Sequence, residues 1–133
     1  PIERSAAELH VDFANRFVGG GCLENDFMME EILFAVKPEL IVAMALCSFM
    51  HDEEAIHIAG ALQFSSYSGY ASTFAFIGDH DGGACAGPPP TVCAMDALQG
   101  CAKIQFGEGL VRRDLNKARL AFDGARTVAT GNW

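Results

Sequence analysis

Basic side chains are scarce in this chain. Nine Lys and Arg stand against seventeen Asp and Glu, for a formal net charge of −8. General nucleic-acid binding needs a basic face that displaces counterions from phosphates, so no direct DNA binding is expected. Long apolar runs are lacking too. The longest, residues 40–50, is about half of the ~20 residues that a membrane span requires. The opening Pro1-Ile2-Glu3-Arg4 is polar and mixed in charge, with no signal-peptide pattern. No membrane partner is expected, and the expected location is intracellular, nuclear or cytoplasmic. The five cysteines (22, 47, 85, 93 and 101) are odd in number, and no two are spaced C-x-x-C. Neither a disulfide framework nor a zinc site is indicated, and most of the thiols are expected to be buried in a reducing compartment.

What is present suffices for one domain. Half of the 133 residues are apolar and a fifth are charged, a composition that can build a core. Residues 10–17 read as an extended segment entering a loop. Asp26 is a good N-cap for a helix over 27–36, and Pro38 stops that helix and opens a second over 39–50, with Leu40, Ile41, Met44, Leu46 and Cys47 turned inward. Residues 55–64 read as a buried strand, 65–76 as a loop leading into another, 78–90 as an exposed loop, and 92–98 as a strand. A helix follows over 108–122, and its Arg112, Arg113, Lys117 and Arg119 read as a solvated face that can also steer a polyanion. A last strand begins at Thr127. Strands alternating with helices predict α/β layers.

The stretch over 11–31 carries the chemistry. Gly19, Gly20 and Gly21 lead to the helix whose first turns hold Glu30 and Glu31. Glycines serve where the backbone takes positive φ or approaches another group closely, and successive amides in such a turn form an anion site. On these residues alone, the triplet is as much a loose loop as a phosphate cradle. The acid pair alone reads first as a macrodipole contribution of ~0.3–1 kcal/mol each. Tyr67 and Tyr70 are as much a cover for a core edge as ligand contacts. His51 with Asp52, Glu53 and Glu54, or His80 between Asp79 and Asp81, fits no recognised ligand spacing. His57 reads as a satisfied core histidine. No metal and no cofactor are expected.

Several strings are more specific. Residues 11–21, V-D-F-A-N-R-F-V-G-G-G, resemble the segment that leads into the GGG signature of the poly(ADP-ribose) glycohydrolase catalytic macrodomain. After seven intervening residues that family has Gln-Glu-Glu, where this chain has Met29-Glu30-Glu31. P-E-L-I at 38–41, Y-S-G-Y at 67–70, M-D-A-L at 95–98, L-N-K-A at 115–118 and A-T-G-N-W at 129–133 extend the likeness along nearly the whole chain. The resemblance implies a three-layer α/β/α fold with a mixed central sheet, binding of ADP-ribose, and hydrolysis of the ribose–ribose bond in poly(ADP-ribose). It implies Glu31 as the catalytic acid and Glu30 as the neighbour that holds the ribose. It further implies Asn15 as a ribose contact, Asp12 as support for the loop, and Gly20 and Gly21 as the backbone passing the diphosphate. Tyr70 would close over the ligand, Ile2 and Glu3 would meet adenine, and Asn132 would open a second phosphate loop. The chain departs from the family at Met29, which removes an amide. The family also continues beyond Gly-Asn-Trp and has a helical region before the matched part. The expectation is therefore the middle of a catalytic domain, incomplete at both ends, that other segments or chains complete.

The chemistry asks for a group that protonates the leaving oxygen through an oxocarbenium-like state. Repulsion between adjacent acids and desolvation under a bound ligand favour the protonated form, and a helix N-terminus favours the carboxylate. Neighbouring helical residues project ~100° apart, so the two glutamates divide the work. The alternatives are a catalytically degenerate macrodomain, kept for ADP-ribose binding or as a structural module, and a hydrolase of mono-ADP-ribosyl groups.

Overall fold

The structure is a computed structural model and describes residues 2–24, 27–81, 88–99 and 103–131. Its centre is a four-stranded sheet built from β1 (Leu9–Ala14), β2 (Ile56–Ile58), β5 (Thr91–Asp96) and β6 (Val128–Ala129), in the order β2-β5-β1-β6. β1 runs parallel to both β5 and β6, and β2 is antiparallel to β5. The sheet is mixed, as expected. A separate antiparallel hairpin joins β3 (Ser65–Ser68) to β4 (Ala75–Asp79).

Burial on both faces explains why β1 and β5 carry little exposed polarity. One face packs under α1 (Met29–Val36) and α2 (Ile41–Leu46), where Phe34, Leu33 and Leu40 meet Val92 and Ala94. The other meets α3 (Glu108–Phe122), where Ala121 packs with Leu9, Val11, Cys93 and Met95. These are the three layers.

Several expectations need correction. The first helix begins at Met29 with Met28 in the cap position, and Met28 makes no side-chain capping bond; Asp26 lies outside the described residues. A 3₁₀ turn at Pro38–Leu40 precedes α2, which ends at Leu46. Leu46 is exposed rather than turned inward. Only Ile56–Ile58 of the segment over 55–64 is strand, because Gly60 turns the chain at φ +89°. The next segment, too rich in serine to read as strand by propensity, forms β3 of the hairpin. His57 is exposed on β2, its Nε2 3.0 Å from the Ala121 carbonyl. The fully buried histidine is His10, whose ring burial, with Lys37 adding to it, lowers its pKa. Among the described cysteines only Cys93 is buried, Cys22 and Cys47 being half-buried.

The largest correction concerns α3. Arg113 and Lys117 are buried, not solvated, and lie one turn apart on the stripe that ends at Ala121. Asp96, at the end of β5, accepts from Arg113 at 2.7 Å and from Lys117 at 2.5 Å. Lys117 Nζ also donates to the carbonyls of His51 and Glu54, both at 2.8 Å. Burial disfavours the Arg113 guanidinium, but Asp114, Asp52 and Asp96 outweigh it and hold its pKa above the ordinary value. No helix among the described residues is long and apolar enough to cross a membrane.

Candidate active site

β1 delivers its last residues into a run of tight turns. Gly20 N–H donates to the Phe17 carbonyl at 3.0 Å, Cys22 N–H to Gly19 at 3.0 Å, and Glu24 N–H to Gly21 at 2.8 Å. The Asn15 side-chain oxygen accepts from Phe17 N–H at 3.0 Å and fixes the entry to the turns. Two positions require glycine. Gly19 has φ +94°, and a Cβ there would lie 2.7 Å from Met44. Gly20 has φ +48°, and its Cβ would lie 2.3 Å from Glu31 Oε1 and 2.8 Å from Glu30 Oε2.

The turns aim their amides at the acid pair. Glu30 accepts from Gly19 N–H at 2.5 Å on one oxygen and from Asn15 N–H at 2.7 Å on the other. Glu31 Oε1 accepts from Gly21 N–H at 3.1 Å. The anion in this concavity is thus the protein's own pair of carboxylates. Glu31 Oε2 is buried and has no hydrogen-bond partner, and neither has either oxygen of Asp12 beneath it on β1. Burial pushes Glu30 up to about 7, against the amides of Asn15 and Gly19 and with repulsion from Glu31. Burial, then Glu30 and Glu31, raises Asp12 well above the carboxylate range.

Beside the acids lies an open cleft of about 1160 Å³. Ile2, Glu3 and Tyr70, expected around a ligand, all line it, as do Met29 and Ile32 from α1. Tyr70 is half exposed and follows Gly69, where φ is +77° and a Cβ would strike the Thr73 carbonyl. Asp12, Asn15, Gly20, Gly21, Glu30 and Glu31 form the acid and glycine cluster rather than the cleft wall. Asn132 lies outside the described residues. Tyr67 joins the wall and donates to Glu3 Oε1 at 3.2 Å. Burial and then Glu3 push the Tyr67 hydroxyl up to about 12, so it stays a donor. His80 lines the cleft as well. Among the described residues no group of His, Cys, Asp and Glu is arranged to hold a metal ion.

The family described as "Poly (ADP-ribose) glycohydrolase (PARG), Macro domain fold" matches this chain across residues 1–133. The chain belongs to that family. Its mixed sheet between helical layers agrees with the macro domain fold. Poly(ADP-ribose) glycohydrolase 1 of Arabidopsis thaliana is 41% identical over 118 residues, covering 86% of this chain and 22% of that protein. Poly(ADP-ribose) glycohydrolase 1 of Caenorhabditis elegans is 50% identical over 72 residues, covering 54% of this chain and 9% of the relative. Probable poly(ADP-ribose) glycohydrolase 2 of A. thaliana is 37% identical over 114 residues, covering 83% and 22%. The chain therefore spans less than a quarter of the length of these relatives.

Two residues of the cleft wall were not assigned to it by the sequence reading. Tyr67 was legible only as an aromatic of either role, and its link to Glu3 spans 64 positions. His80 sat between two acids in a run with no recognised ligand spacing, which gave no signal for a cleft wall.

Proposed function

We propose that this chain carries the acid/base centre of a poly(ADP-ribose) glycohydrolase. The observation that carries the reading is the unequal use of two adjacent glutamates. Glu30 has both oxygens fixed by backbone amides, whereas Glu31 has one oxygen fixed and one without a partner. Glu31 then transfers the proton. It protonates the leaving ribose oxygen as the glycosidic C–O bond breaks, and it takes a proton from the water whose oxygen bonds to the anomeric carbon. Glu30 positions the turn and keeps a free lone pair on each oxygen for a ribose hydroxyl. The missing Cβ of Gly20 leaves the pair open to the sugar, and Gly21 brings its backbone toward the diphosphate. Asn15 contacts the ribose and Asp12 supports the loop. The adenine lies in the cleft by Ile2 and Glu3, Tyr70 closes over the ligand, and Asn132 belongs to the second phosphate loop. The substrate is poly(ADP-ribose), without cofactor, and turnover of this polymer would place the protein in ADP-ribosylation and DNA damage signalling.

The test uses the parent protein on ADP-ribose polymer, with release of ADP-ribose followed by chromatography. Glu31→Gln is expected to lower kcat by ~10²–10⁴, the usual worth of a general acid, with ADP-ribose affinity within about a few-fold because the amide keeps the carboxylate's shape. Release at the parental rate would sink the assignment. Met29, an apolar side chain on the cleft wall, favours one second reading, a binding module. Calorimetric ADP-ribose binding by the parent without turnover would select it, and a comparison with mono-ADP-ribosylated protein separates polymer from single-unit substrates.

A further inference from the structure

Immediately after Asn15 the chain presents an aromatic patch that the core does not use. Phe17 is 66% exposed and Phe49 38% exposed. Their rings stand 6.1 Å apart and tilted by 51°. The Arg16 guanidinium lies 5.6 Å from the Phe49 ring centre, and the His51 ring 4.4 Å from it. Arg16 also meets Asp52 at 3.3 Å, but both side chains are about half exposed. Exposed pairs of that kind hold weakly, so the guanidinium is exchangeable. Arg16 and Phe17 share with Asn15, Asp96 and Leu98 the wall of a crevice of about 440 Å³.

Exposed π-faces beside a guanidinium are the chemistry that recognises a base and its phosphate. Position supplies the second argument. Asn15, which lines this crevice, donates its amide to Glu30. Met29 and Ile32, which flank the same acids on α1, line the large cleft. The acid pair is thus connected to two cavities, and an enzyme that cuts the bond between two nucleotide units has to seat one on each side.

We infer that Phe17, Phe49 and Arg16 form a second nucleotide subsite, which takes the adenine and diphosphate of the polymer unit next to the scissile bond. This rests on the reading of the acid pair as a polymer-cleaving centre. The base packs on the phenyl faces, and Arg16 exchanges Asp52 for a phosphate oxygen. In a chain of net charge −8, a local cation at that point also lowers the cost of admitting a polyanion.

The experiment uses the parent protein and its Phe17→Ala, Phe49→Ala, Arg16→Gln and Phe17→Tyr variants. Each is assayed on ADP-ribose polymer and titrated with ADP-ribose by calorimetry. Loss of one stacking face is expected to raise KM for polymer about tenfold, with kcat near the parental value and ADP-ribose affinity unchanged. Phe17→Tyr, which restores the ring, is expected to restore KM. Because Phe17 is largely exposed and Arg16 about half exposed, the melting temperatures of their variants should stay near that of the parent. Parental KM in Phe17→Ala and Arg16→Gln overturns the subsite, and so does an equal loss of ADP-ribose affinity, which would place these residues in the primary site. A parent that binds ADP-ribose but leaves polymer intact, or binds neither, defeats the polymer-cleaving reading itself and the subsite with it.

Discussion

Two buried charge clusters sit at the ends of neighbouring parallel strands, and they are built on opposite terms. At the end of β5, Asp96 faces Arg113 and Lys117, and every charge has a partner of the other sign or a carbonyl. One strand away, Asp12, Glu30 and Glu31 share a site in which, among the described residues, backbone amides donate to the two glutamates and three carboxylate oxygens lack any partner. Burial alone therefore does not separate a structural charge from a chemical one. What separates them is satisfaction: a complete network holds a fold together, and an incomplete one is left with something to give or take.

The largest expected effect comes from breaking the satisfied cluster. Lys117→Met leaves Asp96 short of one cation and two carbonyls without their donor, and should cost ~3–5 kcal/mol of stability. Chemical denaturation of the parent protein measures it, and a loss below about 1 kcal/mol would make the two clusters equivalent.

The next effect is the pH dependence of stability. Glu30 titrates higher in the folded protein than its ordinary 4.5, at about 7, and Asp12 is raised above 3.8. The folded state then binds more protons than the unfolded one, so these groups stabilise the fold at low pH and withdraw that support as pH rises. For Glu30 the window runs from its unfolded value to about 7 and is worth on the order of 3 kcal/mol. Melting temperatures taken from pH 5 to 8 should fall across it, and Asp12→Asn should flatten the slope and melt higher at pH 8. An unchanged slope in that variant would show that Asp12 ionises there without penalty.

The smallest effect tests how finely the incomplete cluster is set. Gly20→Ala puts a methyl against both glutamate oxygens at positive φ. We expect kcat to fall about tenfold, roughly the cost of disturbing a catalytic contact by 1.4 kcal/mol, with the fold kept. Parental kcat would mean that the turn tolerates a side chain beside the acids.

Much of this was legible in the sequence, for stated reasons. α3 was readable because fifteen residues of helical pattern run without interruption, β5 because a short apolar run buried on both faces leaves a clear trace, and β1 as an extended segment because Val11 and Phe13 flank Asp12 on the way into the glycine loop. The glycine triplet and the acid pair declared themselves by spacing, and the structure brings them into contact. The hairpin did not show, since Ser65, Ser66 and Ser68 have little strand propensity and their pairing depends on partners seven to fourteen positions away. Nor did the burial of Arg113 and Lys117, because composition cannot distinguish a solvated basic face from one that meets Asp96. The stripe 113, 117, 121 was the available signal, and it points at the sheet.

The cleft has one wall that does not belong to the central sheet. Among the described residues β3 and β4 pair only with each other, and they reach the body through Ala71 N–H on the Phe27 carbonyl, the stacked rings of Phe27 and Phe74, and Tyr67 on Glu3. A two-stranded ribbon has marginal stability of its own, so this wall depends on those anchors for its place beside the cleft. Tyr70 rides on that unit and the glutamates do not. On the proposed reading, the residue that covers the ligand and the residues that move the proton are thus held by separate sets of contacts, so a change in the ribbon's anchors reaches the first without touching the second.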